Sequence, residues 1–184
     1  MSKLTVASAA DASVVAALLP EDAAFAIPLE QGGFEIEVGE QHAAALASIG
    51  ADMSAARLQY VAIFKADLKR DIDATAETER LKYITPGAGQ AMTYQAKASE
   101  ARLYLADPSP DPQDYPLLAA EVGITAEDMS GVATAVLAAE RQWHLVGAAI
   151  EAVRLGAKEA ISVATTKAEA DAVFAAITWP AAAS

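Results

Sequence analysis

The chain contains no cysteine, which removes disulfides, thiolate metal sites and cysteine nucleophiles together and leaves the redox compartment open. Apolar runs are short, none approaching the roughly 18 residues of a membrane span, so no insertion into a membrane is expected. The opening Met1-Ser2-Lys3-Leu4-Thr5 leads to Asp11 and Pro20 and does not read as a signal peptide, so synthesis and folding in a cytoplasm are expected. Positive charge is scarce. Thirteen Lys and Arg stand against 25 Asp and Glu, and the net charge of -12 repels phosphate backbones and anionic headgroups. Nucleic acid is therefore a poor partner.

Chemical signatures are equally thin. The two histidines, His42 and His144, lack a second histidine or a carboxylate at ligand spacing, and no Gly-x-Ser-x-Gly turn presents a nucleophile. Pro86-Gly87-Ala88-Gly89-Gln90 opens a helix, but it follows a helix rather than a strand and lacks the Gly-Lys-Ser/Thr ending of a phosphate loop. The acidic pairs Glu35 with Glu37 and Asp71 with Asp73 read as solvated faces. No metal and no cofactor are expected, and the chain reads as a structural or binding protein rather than an enzyme.

What is abundant is alanine, within a hydrophobic fraction of 54% against only 6% aromatic, so helices can approach closely while each side chain buries little area. At 184 residues the chain accommodates one domain, or a small module joined to a helical one. The texture changes near residue 50. Before it, Pro20, Pro28, Gly32, Gly33 and Gly39 interrupt the pattern, and Phe34, Ile36 and Val38 alternate with Glu35 and Glu37 as in a strand with one wet face. Phe25 to Leu29 is placed to pair with that strand across Glu30-Gln31-Gly32-Gly33, giving a β-hairpin. Residues 1–50 are thus expected to form an N-terminal module, its hairpin either a plain surface feature or a docking segment.

Residues 51–184 are expected to form an antiparallel helical bundle, so the fold class is mainly α. Leu58, Val61, Phe64, Leu68 and Ile72 mark a helix to about Lys82, which Pro86 and its glycines end. A second helix is expected from about Gly89 to Leu105, with Met92, Leu103 and Leu105 buried, before the prolines of Asp107 to Pro112. A short helix at Tyr115-Pro116-Leu117-Leu118 should close at Gly123, and Thr125 with Asp128 should cap the next. In that next helix Met129, Val132, Val136, Ala139, Trp143, Val146, Ile150, Val153 and Ala157 repeat every seven residues, an apolar seam of about 60 Å if it reaches Ala164. Thr166 with Glu169 should cap a last helix with Val173, Phe174 and Ile177 inward, ended by Trp179-Pro180. A seam this long either closes within the bundle or meets another copy, so a homo-oligomer is expected.

Tyr83, Tyr94, Tyr104 and Tyr115 cluster around the proline-rich turns, either wedging loops against the bundle or forming a binding surface, and Trp143 and Trp179 should anchor the core. The residues singled out for binding or assembly are Phe34, Ile36, Val38, Tyr83, Tyr94, Trp143, Val146 and Ile150.

The stretch Leu81-Lys82-Tyr83-Ile84-Thr85-Pro86-Gly87-Ala88-Gly89-Gln90-Ala91-Met92-Thr93-Tyr94-Gln95-Ala96-Lys97, with Glu100-Ala101, Tyr115-Pro116-Leu117-Leu118 and the helical tail from Trp143 to Trp179, resembles the helical segment of tail-fibre-associated and other virion proteins of tailed bacteriophages. The likeness covers about residues 65 to 180. It implies a structural virion protein, part of or adaptor for a fibre, spike or other appendage, assembled in the host cytoplasm with other phage structural proteins as partners. The alternative is a tail-fibre assembly chaperone absent from the finished particle.

Overall fold

The computed structural model describes residues 1–21 and 23–181. Its architecture is a mainly helical bundle preceded by a small three-stranded antiparallel sheet. Two compact units result: Met1–Arg70 with Ala160–Ala175, and Asp71–Glu159 with Ala176–Ser184. The break expected at residue 50 falls inside a helix, Ala43–Ala51.

In the first unit the expected hairpin forms, between β2 (Ala24–Pro28) and β3 (Phe34–Val38), with Ala24 opposite Val38 and Pro28 opposite Phe34. A third strand, β1 (Ser2–Val6), pairs antiparallel on the other edge of β3, setting Leu4 opposite Ile36. Period-two alternation then sorts the faces. Ile36, Val38 and Val6 point into a core closed by Val15 of α1 (Ala9–Ala17) and Leu46 of α2 (Ala43–Ala51), while Lys3 bridges both Glu35 and Glu37 on the wet face. Ser8 caps α1 by accepting from the Asp11 amide, and Asp11, itself buried, is held at 2.7 Å by Arg57.

The hairpin turn depends on glycine. Gly32 and Gly33 both take φ +89, and a Cβ added at Gly33 would stand 2.7 Å from the Val6 carbonyl oxygen, whereas one at Gly32 meets nothing. Gly33→Ala should therefore destabilise this unit by about 2–3 kcal/mol and Gly32→Ala by about 1 kcal/mol, since only the first adds a backbone clash to the left-handed strain. Scanning calorimetry of the two variants checks the order; equal losses would mean that Val6 yields freely.

Beyond residue 51 the helices lie close to the limits expected from the sequence, whereas α1 and α2 are two that the sequence reading does not contain. Helix α3 spans Met53–Arg80, α4 Ala88–Ala106, α5 Pro116–Ala119, α6 Met129–Val163 and α7 Lys167–Ala175. Thr166 and Glu169 form the expected reciprocal cap. At the start of α6 the cap is Asp128, whose carboxylate accepts from the Gly131 amide at 2.7 Å, while Thr125 donates its hydroxyl to Glu121 instead. A carboxylate nearer the first turn meets the free amides more directly. Helix α7 ends at Ala175, four residues short of Trp179, so Ile177 lies beyond it.

The buried faces differ more. Met92, Leu103 and Leu105 of α4 are exposed, and Ala98 and Ala101 are buried in their place. Ala101 lies against Tyr115, Leu118, Val132 and Ala133, where a larger side chain would hold the elements apart. Leu58 of α3 is likewise exposed, with Ala56, Leu68, Ile72 and Ala76 buried. On α6, Met129, Val132, Val146, Ile150 and Ala157 are buried as expected, but Ala139 is exposed and Val136, Trp143 and Val153 are only half-buried. Ala133 and Ile161, off the seven-residue register, are fully buried. No continuous seam runs the length of the helix.

Within the second unit, charge is spent locally. Asp73 accepts from Arg154 and Lys158, both at 2.6 Å, and Glu151 joins Arg154 to Arg80. Asp73 is thus a bound member of an ion-pair network rather than part of a solvated acidic face. No helix among the described residues is long and apolar enough to cross a membrane.

Candidate functional site

The second unit bears a half-open cavity of about 490 Å³. One wall comes from the turn after α3 and the first turns of α4, through Tyr83, Thr85, Tyr94 and Ala98; the facing wall is the middle of α6, through Val136, Ala139 and Trp143. The local sequence explains why it is open. Ala91, Ala98, Ala135 and Ala139 supply short side chains along the walls, so the helices meet without filling the space between them. Gly87, at φ 124, turns the chain into α4 and leaves the Tyr83–Thr85 segment at the rim.

Polar groups ring this apolar interior. The Tyr94 hydroxyl and Thr85 Oγ1 are 3.2 Å apart, and Lys97 lies 5.6 Å from the Tyr94 ring centroid in cation–π geometry. Lys97 also pairs with Glu121, whose carboxyl is held below its ordinary range first by that ammonium and then by the Thr125 hydroxyl. Glu140 is paired with Arg102. The rim therefore balances its charges, and the cavity is suited to an uncharged or weakly polar group.

Nearby contacts fix the walls. Glu100 of α4 accepts from the amides of Leu117 and Leu118 at 2.9 and 3.2 Å, capping the free amides that follow Pro116 at the start of α5. Tyr104 and Tyr115 meet edge to face at 5.3 Å, and the Tyr115 hydroxyl donates to Asp107. Burial and that carboxylate raise the Tyr115 pKa, keeping the phenol protonated.

Of the residues singled out in the sequence, Tyr83, Tyr94 and Trp143 are brought together at this cavity. Val146 and Ile150 do not line it but are buried core with Ala76, and Tyr83 and Trp179 pack against them. Ile36 and Val38 are core of the other unit and Phe34 is half-buried beside them, so these three form the inner face of a sheet rather than an outward contact. Lys97, Glu121 and Glu140 were not distinguished by sequence, because the partners lie 24 and 38 residues apart and no local spacing links them. His144, also on the lining, is exposed.

Among the described residues the Tyr83 hydroxyl oxygen is buried without a hydrogen-bond partner. Such a group costs about 1–3 kcal/mol of desolvation. Tyr83→Phe should consequently leave stability unchanged or raise it by about 1 kcal/mol, read by urea unfolding. A loss of more than that would reveal a hydrogen bond the hydroxyl makes in solution.

Among the described residues no three His, Asp or Glu side chains gather in a way that could hold a metal ion. No protein-family model, curated protein or solved structure matches the chain.

Proposed function

We propose that this chain is a structural protein of a tailed-bacteriophage virion, a component of or adaptor for a fibre, spike or other appendage, that works through protein contacts rather than catalysis. The observation that carries the reading is the location of the Leu81–Lys97 segment. Residues of that segment, among them Tyr83, Thr85, Tyr94 and Lys97, line the cavity together with Trp143. Aromatic side chains with polar tips are the usual anchors of protein interfaces, and the paired charges at the rim let an uncharged side chain enter without stranding an ion.

An antiparallel arrangement of the helices within the second unit, with α6 as spine and part of its seven-residue seam left open at Ala139 and Trp143, belongs to the same reading. So does assembly with other phage structural proteins and with further copies of the chain. Exposed apolar side chains such as Met92, Ile124 and Val163 support it, because assembly would remove them from water. The same exposure suits the alternative, a fibre-assembly chaperone that shields a partner and then leaves.

Mass spectrometry of purified particles tests the proposal. The chain recovered in stoichiometric amount supports a virion component; its absence from particles, together with rescue of fibre folding on co-expression, would replace this reading by the chaperone.

A further inference from the structure

We infer that the free edge of β2 is a docking site for an extended segment of a partner protein, added as a fourth, antiparallel strand, with apolar side chains opposite Phe25 and Ile27 and a lysine or arginine at each end. This deepens the reading above by giving the adaptor a mode of docking, and it rests on that reading only in taking the partner to be a protein.

The sheet is ordered β1-β3-β2, so β2 has one paired edge and one open one. Which groups lie on the open edge follows from the hairpin. The Leu29 amide donates to the Gly33 carbonyl at 3.1 Å, which makes these two a hydrogen-bonded pair. Antiparallel pairs alternate, so Ile27 with Glu35 and Phe25 with Glu37 are bonded to β3 in the same way, and Ala24, Ala26 and Pro28 turn their main-chain groups outward. Among the described residues nothing accepts from the Ala24 and Ala26 amides, and nothing donates to the carbonyls of Ala24, Ala26 and Pro28. Pro28 suits this placement, because its missing N–H falls on the open edge, where the ladder to β3 loses nothing.

The edge is also unguarded. At the other side of the sheet, β1 carries Lys3, a charge that discourages a further strand. The run Ala-Phe-Ala-Ile-Pro of β2 has no charge, and Phe25 is 69% exposed and Ile27 43%. These two share the face of Glu37 and Glu35, which stand opposite them on β3. A strand laid along β2 sets two of its own side chains beside them on that face. Apolar surface leaves water while the added main chain takes up the free amides and carbonyls.

Charge identifies the occupant. Residues 1–50 hold seven carboxylate side chains against one lysine, Lys3, and no arginine. Glu21 precedes β2 and Glu30 follows it, both exposed, and Lys3 is shared between Glu35 and Glu37. A segment with a lysine or arginine at each end therefore meets a carboxylate at each end. A second copy does the opposite. Its own β2, paired antiparallel about Ala26, brings Glu21 of one chain beside Glu30 of the other at both ends of the contact, like charge against like.

The probe is the blocked heptapeptide acetyl-Lys-Thr-Val-Thr-Val-Thr-Lys-amide, added to the full-length chain, with amide hydrogen exchange read by NMR. At millimolar peptide the Ala24 and Ala26 amides should exchange at least tenfold more slowly. Glutamate in place of both lysines should abolish that protection. N-methylation of the central threonine, which removes a donor without touching the protein, should weaken binding at least tenfold. Ala26→Pro, which leaves the ladder to β3 intact, should do the same, its fold checked by circular dichroism. Unchanged exchange at Ala26, or equal binding of the glutamate or N-methyl peptide, would overturn the inference. So would protection of Ala26 that grows with protein concentration in the absence of peptide, which would make a second copy the occupant. None of these results bears on whether the chain is found in particles.

Discussion

Ile150→Ala should cost the Asp71–Glu159 unit about 2–5 kcal/mol, whereas Trp143→Ala, although it removes a larger side chain, should cost less, about 1–2 kcal/mol. Ile150 is fully buried among Ala76, Val146, Tyr83 and Trp179, so truncation leaves a void whose lining loses contacts on every side. Trp143 is half-buried and already borders a cavity of about 490 Å³, so part of its surface has no packing partner to lose. Both tryptophans, Trp143 and Trp179, belong to this unit, which makes their fluorescence a reporter of it alone. Urea unfolding followed at Trp179 in Trp143→Ala, and at both in Ile150→Ala, gives the comparison. A tryptophan loss equal to the isoleucine loss would mean that the cavity closes in solution, and the site built on it would fall with that result.

Acid should unfold the same unit through identifiable carboxylates. Asp73 is held below its ordinary pKa first by Lys158 and then by Arg154, Glu151 by Arg154, and Glu121 by Lys97. For each, the folded pKa lies below the unfolded one, so the folded state binds fewer protons. The stability they contribute is complete above the unfolded values of about 4 and is lost as pH falls through the folded ones. Asp73 and Glu151 are partly solvated, which screens each contribution to well under that of a buried pair. Self-repulsion runs the other way on the approach to the pI of about 4.5, because the net charge of -12 is being neutralised there. Stability should thus hold or rise slightly from pH 7 to about 5 and drop below about 4. Asp73→Asn should lower stability at pH 7 and flatten the acid limb. An acid limb of unchanged steepness in that variant would show that the network around Arg154 contributes nothing to it.

Asp11 and Glu169 carry the same sign in the other unit, the first held down by the Arg57 guanidinium and the second by the Thr165 amide and hydroxyl. They reach that state differently. Glu169 is set by three residues of local sequence, a cap that the spacing of Thr166 and Glu169 announces. Asp11 depends on a guanidinium 46 residues away, which no local pattern predicts.

That contrast runs through the molecule. The sequence by itself determined some of the element boundaries: Pro108 bars continuation of α4 two residues past its end, Gly32 and Gly33 turn the hairpin, and the alternation from Phe34 to Val38 sets a sheet face, whereas α1 and α2 carry no such local signal. These are local effects, decided within a few residues. It also brought Tyr83, Tyr94 and Trp143 forward as binding candidates, though not the cavity that joins them. Only the tertiary structure decided which face of each helix is buried. Periodicity shows that α4 has apolar residues on more than one side, but the side facing Tyr115, Leu118 and Val132 is the one whose alanines permit close approach, and the larger Met92 and Leu103 are left outside. The ion pairs at the cavity rim and the strand β1 were equally beyond local reading, because a charge pair or a strand edge exists only when distant segments have been brought within a few ångströms of each other.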